Sequence, residues 1–148
     1  MNTKTLTNQA DAALRNMANC RFHGATGTVL RDGDDLTILT ADQTVTEALL
    51  AARKLERECV HAKVIAIHTD DAVKRELLLE ACRTGMAFVV DSPACTEQFR
   101  RLMEDAFKNA VPFPARSIRL GAVNADSGLA ERYEAGANAI YEQVVNAA

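Results

Sequence analysis

Four short apolar runs, residues 36–39, 63–68, 86–90 and 117–123, alternate with stretches of helical periodicity, and this rhythm limits the chain to few folds. Strands separated by helices pair in parallel, because each crossover must return the chain to the same edge of the sheet before the next strand starts. The run 63–68, KVIAIH, shows no strong polar alternation, as befits a strand covered on both faces. The fold class expected is therefore α/β, a three-layer open and mostly parallel sheet. Ahead of the first run stand Val29, Leu30 and Arg31, then Asp32-Gly33. Asp-Gly readily takes the φ > 0 geometry of a tight hairpin, so 29–31 is expected to pair with 36–39 and give one antiparallel edge strand.

Helices follow from spacing. After Thr7, a possible N-cap, Ala10, Ala13, Leu14 and Met17 mark a first helix. Beyond Thr44 one face carries Val45, Ala48, Leu49, Ala52 and Leu55, and the other carries Glu47, Arg53, Lys54 and Glu56. Thr44 with Glu47 reads as a capping box. A helix from Asp71 to about Cys82, capped by Thr69 or Asp70, turns Leu77, Leu78 and Ala81 inward and stops at Gly85. Pro93 precedes a helix with Phe99, Leu102, Met103, Ala106 and Phe107 on one stripe, and Pro112 and Pro114 mark a loop. Ala137, Ile140, Tyr141, Val144 and Val145 form a terminal helix. The division expected is an N-terminal helix and loop, residues 1–27, and an α/β domain, residues 28–148.

Charge and composition narrow the function. A net charge of −3, no Trp and 5% aromatic residues leave neither a basic field nor stacking platforms for nucleic acid. No apolar run approaches the roughly 20 residues that span a bilayer, and residues 1–16 lack a secretory core, so a cytoplasmic protein is expected. Cys20, Cys59, Cys82 and Cys95 are widely spaced, and His23, His61 and His68 fall singly, so neither a metal nor a cofactor site is expected.

Where a ligand would sit follows from the sheet. Open α/β sheets bind ligands beyond the carboxyl ends of their strands, near a switch in strand order. Asp42, Gln43, Thr44, His68, Asp91, Ser92 and Cys95 all fall at such ends. Each has a plainer reading: Asp42 and Thr44 as helix caps, His68 as a solvated strand end, Cys95 as a packed thiol with no evident base beside it. The plain reading makes the turn scaffold first, with ligand binding as an addition.

The order of motifs resembles the C-terminal domain of the transketolase family, which includes deoxyxylulose-phosphate synthases and 2-oxoacid dehydrogenase β subunits. The resemblance runs through VLRDGDDLTILTADQTVTEALLAARKLERECVHAKVIAIHT, LLLEACRTGMAFVVDS and IRLGAVNADSGLAERYEAGANAIYEQV, about residues 28–147. It departs from the family at Ala41-Asp42-Gln43, where a Gly is usual, and at SPACTEQF after Asp91, where the family has a His and a glycine-rich turn. In that family thiamine diphosphate lies between two other domains, and this chain shows no Gly-Asp-Gly motif followed by a distant Asn. The resemblance thus implies no catalytic residue here, leaves any enzymatic role to other subunits, and implies subunit association as a homodimer or with separately encoded thiamine-enzyme subunits. A small-ligand binding or regulatory module at the strand ends is the alternative, and an enzyme using Cys95 is a third.

Overall fold

The computed structural model describes residues 21–22, 27–68, 75–93, 95, 97–110, 116–121 and 128–147. The expected first helix and the proline loop lie outside these residues, as does the start of the helix expected from Asp71. Six strands make one sheet: β1 (Arg21–Phe22), β2 (Gly27–Arg31), β3 (Leu36–Ala41), β4 (Ala62–Ile67), β5 (Ala87–Asp91) and β6 (Arg116–Arg119). Their order is β1-β2-β4-β3-β5-β6. β3 runs parallel to both β4 and β5, and β5 is parallel to β6. β2 runs antiparallel to β4, with the two-residue β1 outside it. The four helices are α1 (Val45–Glu56), α2 (Arg75–Cys82), α3 (Glu97–Ala110) and α4 (Leu129–Ala147).

One expectation fails in an instructive way. β2 does not pair with β3; it pairs with β4, with Thr28 opposite Ala66 and a bulge between Val29 and Arg31. All six residues of β3 are buried, and β4 and β5 flank it on its two edges. The Asp32-Gly33 segment therefore steps over the amino end of β4 instead of folding back directly. Asp35 fastens that crossing: its N–H donates to the His61 carbonyl (3.0 Å), and its carboxylate accepts from the His61 N–H (2.6 Å). Gly33 is required for close approach and not for a left-handed turn, since a Cβ there would stand 2.5 Å from the His61 carbonyl oxygen and the Ala62 carbonyl carbon.

Helices cover both faces of the sheet. On one face α1 and α4 pack over Ile38, Val64, Phe88, Val90 and Ile118. On the other, Leu77 and Ala81 of α2 and Phe99 and Met103 of α3 close over Leu39, Ile65 and Ala87. Each fully buried aliphatic or aromatic side chain contributes about 1.5–3 kcal/mol. The expected stripe of α1 is seen, as is that of α3 at Phe99, Leu102, Met103 and Ala106, the Phe107 side chain lying outside those described, and α4 buries Ala137, Ile140 and Val144 but leaves Val145 43% exposed.

Helix ends are handled by backbone geometry. α1 closes with the Val60 N–H on the Leu55 carbonyl and the Cys59 N–H on the Glu56 carbonyl, which places Cys59 at φ 63 in the left-handed region. Gly85, at φ 79, follows α2 as its spacing predicts. The capping box is not formed. A 3-10 turn, Asp42–Thr44, precedes α1, and no side chain caps either the turn or the helix. Thr44 is buried and turns its hydroxyl to Thr40 (2.6 Å) and the Ala41 carbonyl (3.4 Å).

Candidate functional site

The chain leaves β3 for one side of the sheet, to β4, and then returns past it to β5. The carboxyl ends of β3 and β5 therefore flank the switch in strand order, where a crevice would be sought. Here that crevice is filled. Thr40, Thr44, Ser92 and Cys95 are all buried at this end, with the Thr40 and Thr44 hydroxyls bonded to each other and the Cys95 thiol donating to the Val90 carbonyl (3.9 Å). Burial pushes the Cys95 thiol up, which opposes thiolate formation and makes it a packed group rather than a nucleophile.

The residues singled out from sequence separate into two groups around this plug. His68, just past β4, places Nδ1 2.6 Å from Asp42 Oδ1, while Nε2 stands 2.9 Å from the Thr28 hydroxyl of β2. Three strands are thus tied at their ends by one imidazole. Thr28 is 3% exposed, whereas Asp42 keeps 57% of its side chain in solvent. Gln43 is exposed beside it. The relay has the order hydroxyl, imidazole, carboxylate used in nucleophilic catalysis, but its hydroxyl is buried and closed to substrate. What it offers is an exposed carboxylate held in place by an imidazole.

On the other side Asp91 faces Arg100 of α3. Arg100 Nε donates to Asp91 Oδ1 (2.7 Å), Nη2 to the Ser92 carbonyl (3.1 Å) and Nη1 to Glu97 (3.3 Å). Asp91 holds the Arg100 guanidinium above its ordinary pKa. Thr28 and Arg100 were not singled out from the sequence. Arg100 carried a signal, since a cation one helical turn into a helix can reach back to an acid at the preceding strand end.

Glu47 is a further departure. Instead of lying on an outer face, it is half-buried between α1 and α4, where a Cβ at Gly136 would meet its Cγ at 2.6 Å. Burial pushes its carboxyl up to about 7, against the lowering effect of its own backbone N–H. At the opposite, amino end of the sheet, Lys63 of β4 donates to Glu80 of α2 (3.0 Å), with both residues buried, and Arg83 approaches Glu80 at 3.4 Å.

Comparison with known proteins adds to this geometry. Residues 25–96 match the family model of the transketolase C-terminal domain. The chain is 26% identical over 131 residues to the 6-deoxy-6-sulfo-D-fructose transketolase subunit of a Clostridium species, which takes in 88% of this chain and 41% of that protein. It is 37% identical over 97 residues to 1-deoxy-D-xylulose-5-phosphate synthase 1 of Geobacter sulfurreducens, or 65% of this chain and 15% of that one. Among solved structures, a split-gene transketolase described as an inactive β4 tetramer superposes with a TM-score of 0.64 at 28% identity, over 85% of this chain and 42% of that chain. A transketolase of Pichia stipitis, with a TM-score of 0.55 at 18% identity, shares the fold. The chain spans less than half the length of each of these relatives.

Proposed function

We propose that this chain, which is a transketolase C-terminal-like domain, acts by subunit association and supplies no chemistry of its own. Its partner is a second copy of itself or a separately encoded subunit of a thiamine-diphosphate enzyme. The observation that carries this reading is its likeness to a split-gene transketolase whose β chains form an inactive tetramer, which is the behaviour of association without catalysis. Among the described residues, Cys59, Cys82 and Cys95 are free thiols, which fits work in the reducing cytoplasm.

Thiamine diphosphate, which the family implies, is held through a metal-bound pyrophosphate. Among the described residues no three His, Cys, Asp or Glu side chains gather to hold a metal ion, and the carboxylates at the strand ends are engaged by His68 and Arg100. These residues do not fit the group, and no step is derived through it.

Size-exclusion chromatography with light scattering, on the chain alone and coexpressed with thiamine-enzyme subunits, tests the proposal. A stable dimer or a defined complex is expected. A monomer that takes up no such subunit would overturn it.

A second reading, a small-ligand or regulatory site at the strand ends, is favoured by the exposed Asp42 carboxylate fixed by His68. It requires a ligand that perturbs the His68 imidazole resonances saturably, and that effect must disappear in Asp42→Ala.

A further inference from the structure

A strand at the end of a sheet leaves one row of N–H and C=O groups without a neighbour, and such a row is a template for another strand. Here the end strands are β1 and β6. β1 has only two residues, whereas β6 runs over four, in unbroken register with β5. The inner row of β6 is spent on β5: the Leu120 N–H donates to the Asp91 carbonyl (2.8 Å), and Ile118 shares that direction because the groups alternate along a strand. The outer row therefore belongs to Ser117 and Arg119.

At Arg119 that row is taken by a side chain. Gln143, near the end of α4, accepts from the Arg119 N–H through Oε1 (2.9 Å) and donates to the Arg119 carbonyl through Nε2 (2.8 Å). One primary amide thus makes the two bonds that a hydrogen-bonded residue of an antiparallel neighbour would make. Its second N–H goes to the Ala139 carbonyl (3.1 Å), one turn back in α4, which fixes the orientation of the amide. Arg116 Nη1 donates to the Ala147 carbonyl and ties α4 to the same strand at a second point. Among the described residues Ser117 meets no partner on its outer side.

We propose that the contact of Gln143 with Arg119 is autoinhibitory: the amide stands in the place of one more strand and keeps β6 from pairing with β6 of a second copy of this chain. The edge is self-complementary. In an antiparallel register centred on Ile118, Ser117 of one copy stands opposite Arg119 of the other, and both residues satisfy their outer N–H and C=O groups. No arginine then directly faces another, an arrangement that like charges would disfavour. The proposal does not depend on how the parent chain associates, because it concerns the association gained when this contact is lost.

Amide hydrogen exchange on the parent and light scattering on variants test it. In the parent, the Arg119 amide should exchange on the order of tenfold more slowly than the Ser117 amide after correction for intrinsic rates, the scale of one hydrogen bond. Gln143→Ala should bring Arg119 to the Ser117 rate in dilute solution, and should raise the apparent mass with protein concentration beyond that of the parent. Gln143→Met, which keeps the bulk of the side chain without its amide, serves in its place if the alanine variant does not fold. Adding Ser117→Pro removes an outer N–H that β5 does not use, so the gained association should vanish while the fold stays. Equal exchange of Arg119 and Ser117 in the parent, a folded Gln143 variant that associates no more than the parent, or gained association that survives Ser117→Pro would each overturn the proposal.

Discussion

The two ends of the parallel sheet use charge in opposite ways. At the amino end, Lys63 and Glu80 form an ion pair with side chains only 6% and 8% exposed. At the carboxyl end, His68 and Asp42 form a similarly short contact with 26% and 57% exposure, and Arg100 with Asp91 keeps 37% and 30%. Contact distances hardly distinguish these pairs, but their surroundings do. A buried charge without its partner is costly, whereas an exposed one is rehydrated. The amino end is therefore built to hold the fold, and the carboxyl end has polar groups that can be exchanged for a ligand or a partner at small cost in stability.

The largest expected effect tests the amino end. Glu80→Ala leaves the Lys63 ammonium buried and unpaired, and should lower unfolding free energy by about 3–5 kcal/mol in denaturant titrations. Replacing both charges, Lys63→Met with Glu80→Leu, should recover most of that loss, because the cost lies in the stranded charge and not in the missing attraction. If the single and double variants are equally impaired, the attraction within the pair and not the stranded charge carries the stability; if Glu80→Ala costs less than about 1 kcal/mol, the distinction between the two ends fails.

Glu47 sharpens the comparison, being an acid beside the carboxyl end that has been dried by helix packing. Its folded pKa of about 7 lies above the ordinary value of 4.5. As pH rises through 4.5 the unfolded chain releases this proton while the folded chain retains it, so stability falls until about pH 7 and then levels. The full difference is about 3 kcal/mol at most, from 1.36 kcal/mol per pKa unit. Glu47→Gln should remove that decline: the variant gains on the parent above pH 7 and matches it near pH 4, as read by urea midpoints across pH. A parent whose stability is flat between pH 4.5 and 7 would place Glu47 among the solvated carboxylates.

How far the sequence reveals this contrast depends on the range of the cause. The α1, α3 and parallel-strand patterns are legible because periodicity is local, and the order of segments around 28–147 carries the family. The pairing of β2 is not legible: Asp32-Gly33 has hairpin chemistry, but β4, thirty residues on, inserts itself between β2 and β3. Glu47 is assigned to an outer face because nothing in α1 tells where α4 will lie. Glu80 does leave a trace, since it sits beside Leu77 and Ala81 on the inward stripe of α2, and an acid in such a stripe calls for a buried cation. The site residues at the carboxyl end were legible as positions, from the rule about strand ends, but not as partners. The division of Asp42 to His68 and Asp91 to Arg100 depends on side chains that meet only in the fold.

A smaller effect again belongs to the amino end. Cys59 sits in the left-handed region at φ 63, exposed, in the turn between α1 and β4. A side chain in that region costs about 1 kcal/mol that glycine avoids. Cys59→Gly should therefore raise unfolding free energy by up to about 1 kcal/mol, partly offset by the added freedom of the unfolded chain. A loss of stability would mean that the Cys59 side chain makes contacts worth more than the backbone strain it imposes.

The smallest effect is expected where the sequence points most directly to function. Asp42→Ala removes the carboxylate from His68, but both groups remain in reach of water, and an exposed pair of this kind is worth about 0–1 kcal/mol. The Thr28 hydroxyl still has Nε2 of the imidazole, so the tie between β2 and β4 survives the change. Unfolding free energy should fall by less than about 1 kcal/mol, and by less still in high salt. A cost of several kcal/mol, insensitive to salt, would make the carboxyl end as structural as the amino end. Near-neutral stability means that Asp42 is held in place by His68 without being needed by the fold, which is the condition under which a residue is free to serve a ligand or a neighbouring subunit.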